Sequence, residues 1–222
     1  MKRTLLTIMA VSAVCGMSYA QKGEEKPAGA AVPAEARMMT VAGELVQYGY
    51  ANKEALPLIQ AVEIYQKNGS DKPFEGKKEN AGDKAESKQS KVSYDVNQIL
   101  ADATEYAAGD ENLLALIDGL KSSSKRGATS NYAVHTDLVR ANSTDVYNVQ
   151  FRGGELALVI VSGDGDTDLD LYVYDPAGNC VASDADYTDD CVVSWVPTRT
   201  QTYKIKIKNR GNISNRYRMA VN

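Results

Sequence analysis

Apolar residues recur at helical spacing in two stretches of the N-terminal half, and each stretch predicts a helical hairpin. Asn52 and Asp110 stand near the middle of the two stretches as candidate N-caps of the second helices. The first hairpin, residues 34–67, carries the stripes Met38, Val41, Ala42, Leu45, Val46 and Leu56, Ile59, Val62, Ile64. The second, residues 93–121, carries Val96, Ile99, Leu100, Ala103 and Leu113, Leu114, Leu116, Ile117, Leu120.

The two hairpins resemble each other at a constant offset. The matched positions are Tyr48, Asn52, Leu56, Leu58 and Ile59 in the first and Tyr106, Asp110, Leu114, Leu116 and Ile117 in the second. The match resembles a repeated tetratricopeptide-like helix–turn–helix unit. Two such units are fewer than a solenoid needs, so we expect them to pack on each other or on the rest of the chain. Their expected role is structural or protein-binding.

The segments around the hairpins are polar. Residues 68–91 contain one aromatic and no β-branched residue, so they bury too little apolar surface to offset the cost of ordering. We therefore predict a disordered linker over residues 68–92 and a flexible leader over residues 21–33. Residues 122–130 are rich in Ser and form a second predicted linker, where we place the domain boundary.

From residue 131 onward the pattern changes to short runs of alternating or continuous apolar residues separated by turn signals. The predicted strands are Val146–Phe151, Leu156–Val161, Asp168–Asp175, Cys180–Ser183, Cys191–Val196, Tyr203–Lys208 and Arg216–Val221. The Pro-Ala-Gly sequence after Asp175 predicts a turn between the third and fourth of them. Residues 131–222 therefore predict a β-sandwich with a jelly-roll-like arrangement. The fold class is α+β multidomain, with helical hairpins followed by an all-β sandwich.

The first twenty residues have the pattern of a secretory signal peptide. Lys2 and Arg3 precede an apolar run that is too short to span a bilayer, and small residues precede Gln21. We predict cleavage after Ala20. Lipidation at Cys15 is the alternative, although Ser12 stands where lipoproteins usually carry a large aliphatic residue. The mature chain is expected outside the cytoplasm, in the periplasm, at the cell surface or in the medium, and not as an integral membrane protein.

Charge and composition exclude several functions. A net charge of −4 with dispersed Lys and Arg gives no indication of nucleic-acid binding. The single histidine, His135, rules out an HExxH zinc site, and no Gly-x-Ser-x-Gly motif accompanies it. We expect a surface or edge histidine and no catalytic residues.

Carboxylates alternate along Gly163–Asp175, so in an extended chain they point the same way and call for a cation. Leu169 stands where an EF-hand needs Gly, which excludes that motif. A second acidic cluster, Asp184–Asp190, is expected to return toward the first across the Pro-Gly turn. The candidate Ca²⁺ ligands are Asp164, Asp166, Asp168, Asp184 and Asp186. The alternative is that both clusters are solvated loops, where Asp favours turns.

Three further features are ambiguous. Cys180 and Cys191 are an even pair in an exported chain, which favours a disulfide. Trp195, Tyr172 and Tyr174 are candidates for stacking on a ligand, although core packing is the more common role of aromatic residues in sandwiches. Lysines alternate along Lys204–Lys208, followed by Arg210, Arg216 and Arg218. They suggest either a patch for anionic polysaccharide or the solvated face of an edge strand protected by lysines.

Several of these residues together resemble a known family. The run Gly163-Asp-Gly-Asp-Thr-Asp-Leu-Asp-Leu-Tyr-Val-Tyr-Asp175, with Asp145-x-Tyr147 before it and Tyr203-Lys-Ile-Lys-Ile207 after it, resembles the bacterial pre-peptidase C-terminal (PPC) domain. The resemblance covers residues 131–222 and implies a β-sandwich appended to exported proteins. It also implies roles in secretion, matrix or substrate binding and solubility, with Asp166 and Asp168 as metal contacts. Only helices, and no peptidase domain, precede it here.

Together these features predict an exported, non-catalytic binding or accessory protein whose partner is a protein or a polysaccharide, with a Ca²⁺-stabilised sandwich. A structural surface or secretion-associated module without a specific ligand is the second hypothesis. A hydrolase of unrecognised type is the third.

Overall fold

The computed structural model describes residues 31–68, 73–79, 91–123 and 132–222. The expected signal peptide, most of the leader and parts of both linkers lie outside these residues. The helices are α1 (Ala34–Asn52), α2 (Ala55–Asn68), α3 (Val96–Tyr106) and α4 (Glu111–Ser123). The strands are β1 (Lys77–Lys78), β2 (Ala133–Val139), β3 (Thr144–Phe151), β4 (Ala157–Ser162), β5 (Leu169–Tyr174), β6 (Cys180–Asp184), β7 (Asp190–Trp195), β8 (Gln201–Asn209) and β9 (Asn215–Val221).

One of the two expected helix caps is present. The Asp110 carboxylate accepts hydrogen bonds from the backbone N–H groups of Asn112 and Leu113, at 2.9 and 3.2 Å, and so caps α4. Asn52 is not a cap: it is the last residue of α1, which ends in the left-handed conformation of Lys53 (φ 55°). The expectation for Asn52 was wrong because the turn between the hairpin's helices is shorter than the apolar pattern indicates.

The buried face of α1 also differs from the predicted stripe. Met38 and Val41 are 42% and 39% exposed, whereas the small residues Ala36, Ala42 and Gly43 lie against the rest of the protein. Close approach of the helix to a sheet selects small side chains, and hydrophobicity alone does not reveal that selection. The helix is therefore rotated relative to the prediction.

The matched positions of the two hairpins do not share one environment. Ile59 and Ile117 are both buried, but Leu58 is fully buried while its counterpart Leu116 is 50% exposed. The tetratricopeptide-like repeat therefore stays a prediction.

The predicted sandwich is present, with β2 as a strand that the pattern did not indicate. A five-stranded sheet has the order β1-β3-β8-β5-β6, and a four-stranded sheet has the order β2-β9-β4-β7. All pairings are antiparallel. The apolar side chains between the sheets, such as Val159 and Val161 of β4, form one core cluster.

The helices cover the outer face of the four-stranded sheet, which makes a three-layer molecule. Leu158 and Ile160 of β4 point away from the sandwich core and pack with residues of the helices in a second core cluster. Consequently β4 is buried on both faces, which explains its continuous apolar sequence. At the same interface Gln47 of α1 donates a hydrogen bond to the carbonyl of Gly163 at 2.8 Å. The outer face of the five-stranded sheet carries no helical layer among the described residues.

Part of the predicted disordered linker is ordered. Residues 73–79 lie along the sandwich, where Lys77 pairs with Asn148 and Lys78 pairs with Tyr147. The prediction failed for this segment because it considered only the apolar surface of the segment itself. The sandwich supplies the missing contacts through the edge of β3, the His135 ring on which Phe74 stacks, and the carboxylates of Asp137 and Asp145, which both contact Lys78.

Candidate functional site

Among the described residues, no helix covers the outer face of the five-stranded sheet, and this face carries a group of lysines and tyrosines. Its central strand, β8, alternates buried Ile205 and Ile207 with the outward lysines Lys204, Lys206 and Lys208. β8 is paired on both sides, with β3 and with β5. The interpretation of these lysines as protection of an edge strand was therefore wrong, because β8 is not an edge.

Two tyrosines of β5 lie beside these lysines. Tyr174 pairs with Lys204 and Tyr172 pairs with Lys206 across the β5–β8 ladder. The Lys206 ammonium lies 4.6 Å from the centroid of the Tyr174 ring, a cation–π contact. The two tyrosine rings are 6.5 Å apart and tilted by 33°. The period of two along each strand places these side chains on one surface.

A shallow depression of about 510 Å³ lies at one end of this surface. Tyr174, Lys204 and Lys206 line it together with Asn148 of β3 and the turn that follows β5. The depression combines an aromatic ring, an amide, two cations and the carboxylate of Asp175. Lys204 is paired with Glu79 at 3.1 Å, and the Asp175 carboxylate is bonded to Asn179. Such a surface can hold an anionic, partly apolar ligand.

The charges at the other end of the face are paired. The Arg210 guanidinium contacts the Asp170 carboxylate, and this hydrogen bond raises the pKa of Arg210. Tyr172 donates a hydrogen bond to the same carboxylate at 3.0 Å, and burial raises the pKa of Tyr172. Among the described residues, Lys206 and Lys208 have no carboxylate within 4 Å, so these two cations remain available to a ligand.

Other residues assigned to these patches from sequence lie elsewhere. Trp195 is buried in the sandwich core, with its ring 4.8 Å from that of Phe151, so it cannot belong to an exposed stacking surface. Arg216 and Arg218 belong to β9 of the other sheet. Arg218 is buried, with its guanidinium 3.9 Å from the centroid of the Tyr65 ring. Of the three predicted stacking residues, Tyr172 and Tyr174 are brought together.

The two acidic clusters do meet, but mainly through a residue that was not chosen as a ligand. The Asp189 carboxylate accepts hydrogen bonds from the backbone N–H of Gly165 and from Nδ2 of Asn215. Asp164 accepts the backbone N–H groups of Asp166 and Arg216, at 3.2 and 2.6 Å. These buried carboxylates therefore hold the loop between β4 and β5 in place.

The remaining predicted calcium ligands are dispersed. Asp184 accepts the backbone N–H of Val192 at 3.0 Å, and Asp186 accepts the N–H and hydroxyl of Thr188. Asp166 is exposed, and burial raises the pKa of Asp168. Across the described residues, no three or more His, Cys, Asp or Glu side chains are arranged to hold a metal ion. The arrangement does not support the calcium site, which stays a prediction.

The predicted disulfide is not formed. Both cysteines are thiols, with Cys180 exposed and Cys191 buried. The Cys191 thiol donates to the carbonyl of Leu169 at the start of β5, whereas Cys180 pairs with Tyr174 at its end. Five residues of strand separate these two points, or roughly 16 Å at about 3.3 Å per residue. Two cysteines can be joined only when their Cα atoms lie within about 7 Å, so this pairing was wrong.

His135 lies on β2, an edge strand, as expected. Its Nε2 is 3.5 Å from the Asp137 carboxylate, and its ring stacks on Phe74. Sequence reasoning did not identify Asp137 or the role of Asp145, because their partner, Lys78, comes from the segment expected to be disordered.

No helix in the described ranges is long and apolar enough to cross a membrane.

Comparisons with known proteins identify no relative. No family model and no curated protein matches the chain. Among solved structures, the periplasmic g-type lysozyme inhibitor PliG of Aeromonas hydrophila is 14% identical over 42% of this chain and 86% of its own, with a TM-score of 0.33. The Yersinia pseudotuberculosis-derived mitogen is also 14% identical, over 41% and 84%, with a TM-score of 0.33. PliG of Salmonella Typhimurium is 20% identical over 41% and 89%, with a TM-score of 0.29. These likenesses are too distant to bear on function.

Proposed function

We propose that this chain is an exported, non-catalytic binding protein, and that the outer face of its five-stranded sheet binds an anionic polysaccharide. The observation that carries the proposal is the central position of β8. Three half-exposed lysines line one face of a strand that has no edge to protect. Their proximity to Tyr172 and Tyr174 adds an apolar component to the same surface.

The chemistry of the face suits an acidic sugar chain. Carboxylate or sulfate groups would pair with Lys206 and Lys208, while the apolar face of a sugar ring would lie against Tyr174. Contact with Tyr174 already positions the Lys206 ammonium, which lowers the entropy cost of binding. Because the chain as a whole has a net charge of −4, attraction of an anion would be local to this face.

Three features support a role without catalysis and outside the cytoplasm. Asp170, the carboxylate to which Tyr172 donates a hydrogen bond, is paired with Arg210, which leaves it poorly suited as a general acid or base. The first twenty residues have the pattern of a signal peptide. The resemblance of residues 131–222 to the PPC domain fits a sandwich of the kind attached to exported proteins.

In the experiment, the mature chain is titrated with polygalacturonate and with uncharged dextran, and the heat of binding is measured by isothermal calorimetry at low and at high salt. Lys206→Met/Lys208→Met removes two charges and retains the aliphatic stems. Lys91→Met, at an exposed site outside this face, is the matched control.

We expect polygalacturonate to bind the wild type and the control variant, to bind the double variant at least tenfold more weakly, and to weaken as salt rises. Dextran should not bind. Equal binding to the double variant, or equal binding of dextran, would refute the assignment of this face.

A further inference from the structure

A cavity of about 320 Å³ lies where the start of α3 meets the outer face of the four-stranded sheet. It is on the side of the sandwich opposite to the lysines of β8. Residues 93–96 form one wall, and Thr136 of β2 forms the other together with Arg216 and Arg218 of β9. The lining therefore contains two arginines and one carboxylate, that of Asp95, and carries a net positive charge.

The two arginines project from the same side of β9, because residues two positions apart on a strand share a face. Arg218 pairs with Thr136 across the β2–β9 ladder, and both side chains line the same wall of the cavity. Arg216 is half-buried at the rim, whereas Arg218 is only 8% exposed. One guanidinium thus lies inside the cavity and the other at its opening.

Arg218 is a buried cation without a counter-charge. Its guanidinium lies 3.9 Å from the centroid of the Tyr65 ring, and its Nη1 donates a weak hydrogen bond to the Tyr94 carbonyl at 3.5 Å. Its buried Nε has no hydrogen-bond partner, and no carboxylate of the described residues lies within 4 Å. Burial lowers the pKa of Arg218, but a guanidinium keeps its proton in proteins, so the charge remains.

The charge at this position is not explained by packing. Burying an ion costs more than a cation–π contact returns, so the Tyr65 ring offsets only part of the cost at Arg218. An uncharged side chain such as Met would fill similar space against the ring without that cost. An anion in the cavity would supply the missing counter-charge.

Three other features of the cavity suit an anion. The Arg216 guanidinium is a second planar donor. The Ser93 hydroxyl accepts the backbone N–H of Asp95 at 3.2 Å, a bond that does not use its hydrogen. Val96 is the first residue of α3, so the positive end of the helix dipole lies at the cavity. The Asp95 carboxylate opposes an anion, but it is exposed and accepts the backbone N–H of Gln98 at 2.9 Å.

We propose that this cavity binds a phosphate group, with Arg218 and Arg216 as its principal partners. Two guanidinium groups and the hydroxyls of Ser93 and Thr136 offer donors from several directions, which suits a tetrahedral anion better than a planar carboxylate. Thr136 and Asp95 are exposed, so the cavity opens to solvent and can receive either free phosphate or the end of a phosphate monoester. The site is independent of the polysaccharide face proposed above, which belongs to the other sheet.

The test measures binding of radiolabelled inorganic phosphate to the mature chain by equilibrium dialysis, and follows Tm as phosphate is added at constant ionic strength. Arg216→Met and Arg218→Met each remove one charge and retain an unbranched side chain. Arg152→Met is the matched control, since this arginine directly follows β3 and its side chain is 79% exposed. Glycerol 1-phosphate and acetate are added as competitors, to separate a monoester from free phosphate and a phosphate from a carboxylate.

We expect saturable binding of phosphate and a saturable rise in Tm for the wild type and for Arg152→Met, since a ligand that binds only the native state stabilises it. Arg216→Met and Arg218→Met should bind phosphate at least tenfold more weakly, because each loses charge-assisted hydrogen bonds. If Arg218→Met does not fold, Arg216→Met decides the question.

Lys206→Met/Lys208→Met should bind phosphate as the wild type does, which separates this site from the polysaccharide face. Displacement of the label by glycerol 1-phosphate would identify a monoester as the ligand, and failure to displace it would identify free phosphate. The proposal is wrong if the wild type shows no saturable binding, if Arg216→Met binds phosphate as tightly as the wild type, if acetate competes as well as unlabelled phosphate, or if the double lysine variant loses the binding.

Discussion

The contact of α1 with the four-stranded sheet decides which sheet face is covered and which stays open, and two helical glycines test it. A Cβ at Gly43 would lie 2.6 Å from the Ser162 Cβ and closer still to its hydroxyl. A Cβ at Gly119 of α4 would have no atom within 4 Å among the described residues. Both positions are inside helices, so replacement by Ala brings the same gain in helix propensity, about 1 kcal/mol.

The magnitudes follow from that difference in space. Overpacking costs about 1–3 kcal/mol, and Ser162 belongs to a strand buried on both faces, so we place the cost at Gly43 near the upper end. Gly43→Ala should then lower the free energy of unfolding by about 2 kcal/mol, while Gly119→Ala raises it by up to about 1 kcal/mol. The two variants should differ by roughly 6–12 °C in Tm, at about 2–4 °C per kcal/mol for a chain of this size.

The assay is thermal and urea unfolding of both single variants and of Gly43→Ala/Ser162→Gly, followed by circular dichroism. Removing the Ser162 side chain takes away the atoms that the new methyl group would meet, so the double variant should lose less stability than the sum of the single changes. If Gly43→Ala melts at or above Gly119→Ala, the helices do not pack on the sheet in this way.

Three other measurements follow from the structure. Burial and the nearby Asp189 carboxylate raise the pKa of Asp190 to about 7. Between about pH 4 and pH 7 the native state therefore holds a proton that the unfolded chain has lost, so the free energy of unfolding should fall as the pH rises through this range. Asp190→Asn should remove the pH dependence of the free energy of unfolding in this range and should be more stable than the wild type at pH 8. Identical pH profiles of the two proteins would show that Asp190 is not the cause. Under native conditions a thiol reagent should modify Cys180 and not the buried Cys191, whose pKa is raised by burial, and urea should make Cys191 reactive. A disulfide-linked Cys180–Cys191 peptide in a non-reducing map would show that the disulfide forms. A saturable rise in Tm with calcium that Asp166→Ala/Asp168→Ala abolishes would establish the calcium site, and an unchanged Tm of the wild type would rule it out.

Much of the sandwich could be predicted because period-two patterns report which side of a strand is apolar. The alternation of Ile205 and Ile207 with lysines showed that the lysines share one face. It could not show that β8 is central, because the order of strands is set by contacts between residues distant in the sequence. Because the strand order places β8 in the centre of its sheet, its lysines do not protect an edge and are instead candidates for a binding surface.

The sequence does not show the partner of a side chain where that partner is remote. The acidic run predicts a cation because its carboxylates alternate along one strand, and it does not show that Asp164 and Asp189 accept backbone and amide N–H groups. Cys180 and Cys191 are only eleven positions apart in the chain, yet they lie near opposite ends of β5. Distance along the sequence does not measure distance across two sheets.

By itself, the sequence determined the class of the four helices and of strands β3–β9 and the hydrophobic side of most of these strands, since local periodicity encodes these properties. Tertiary structure alone decided the rotation of α1, the open face of the five-stranded sheet and the position of residues 73–79. This segment shows the physical reason most directly. Residues 73–79 bury too little of their own surface to be ordered alone, and they are held by the ring on which Phe74 stacks and by the paired carboxylates around Lys78, which belong to strands more than fifty residues away.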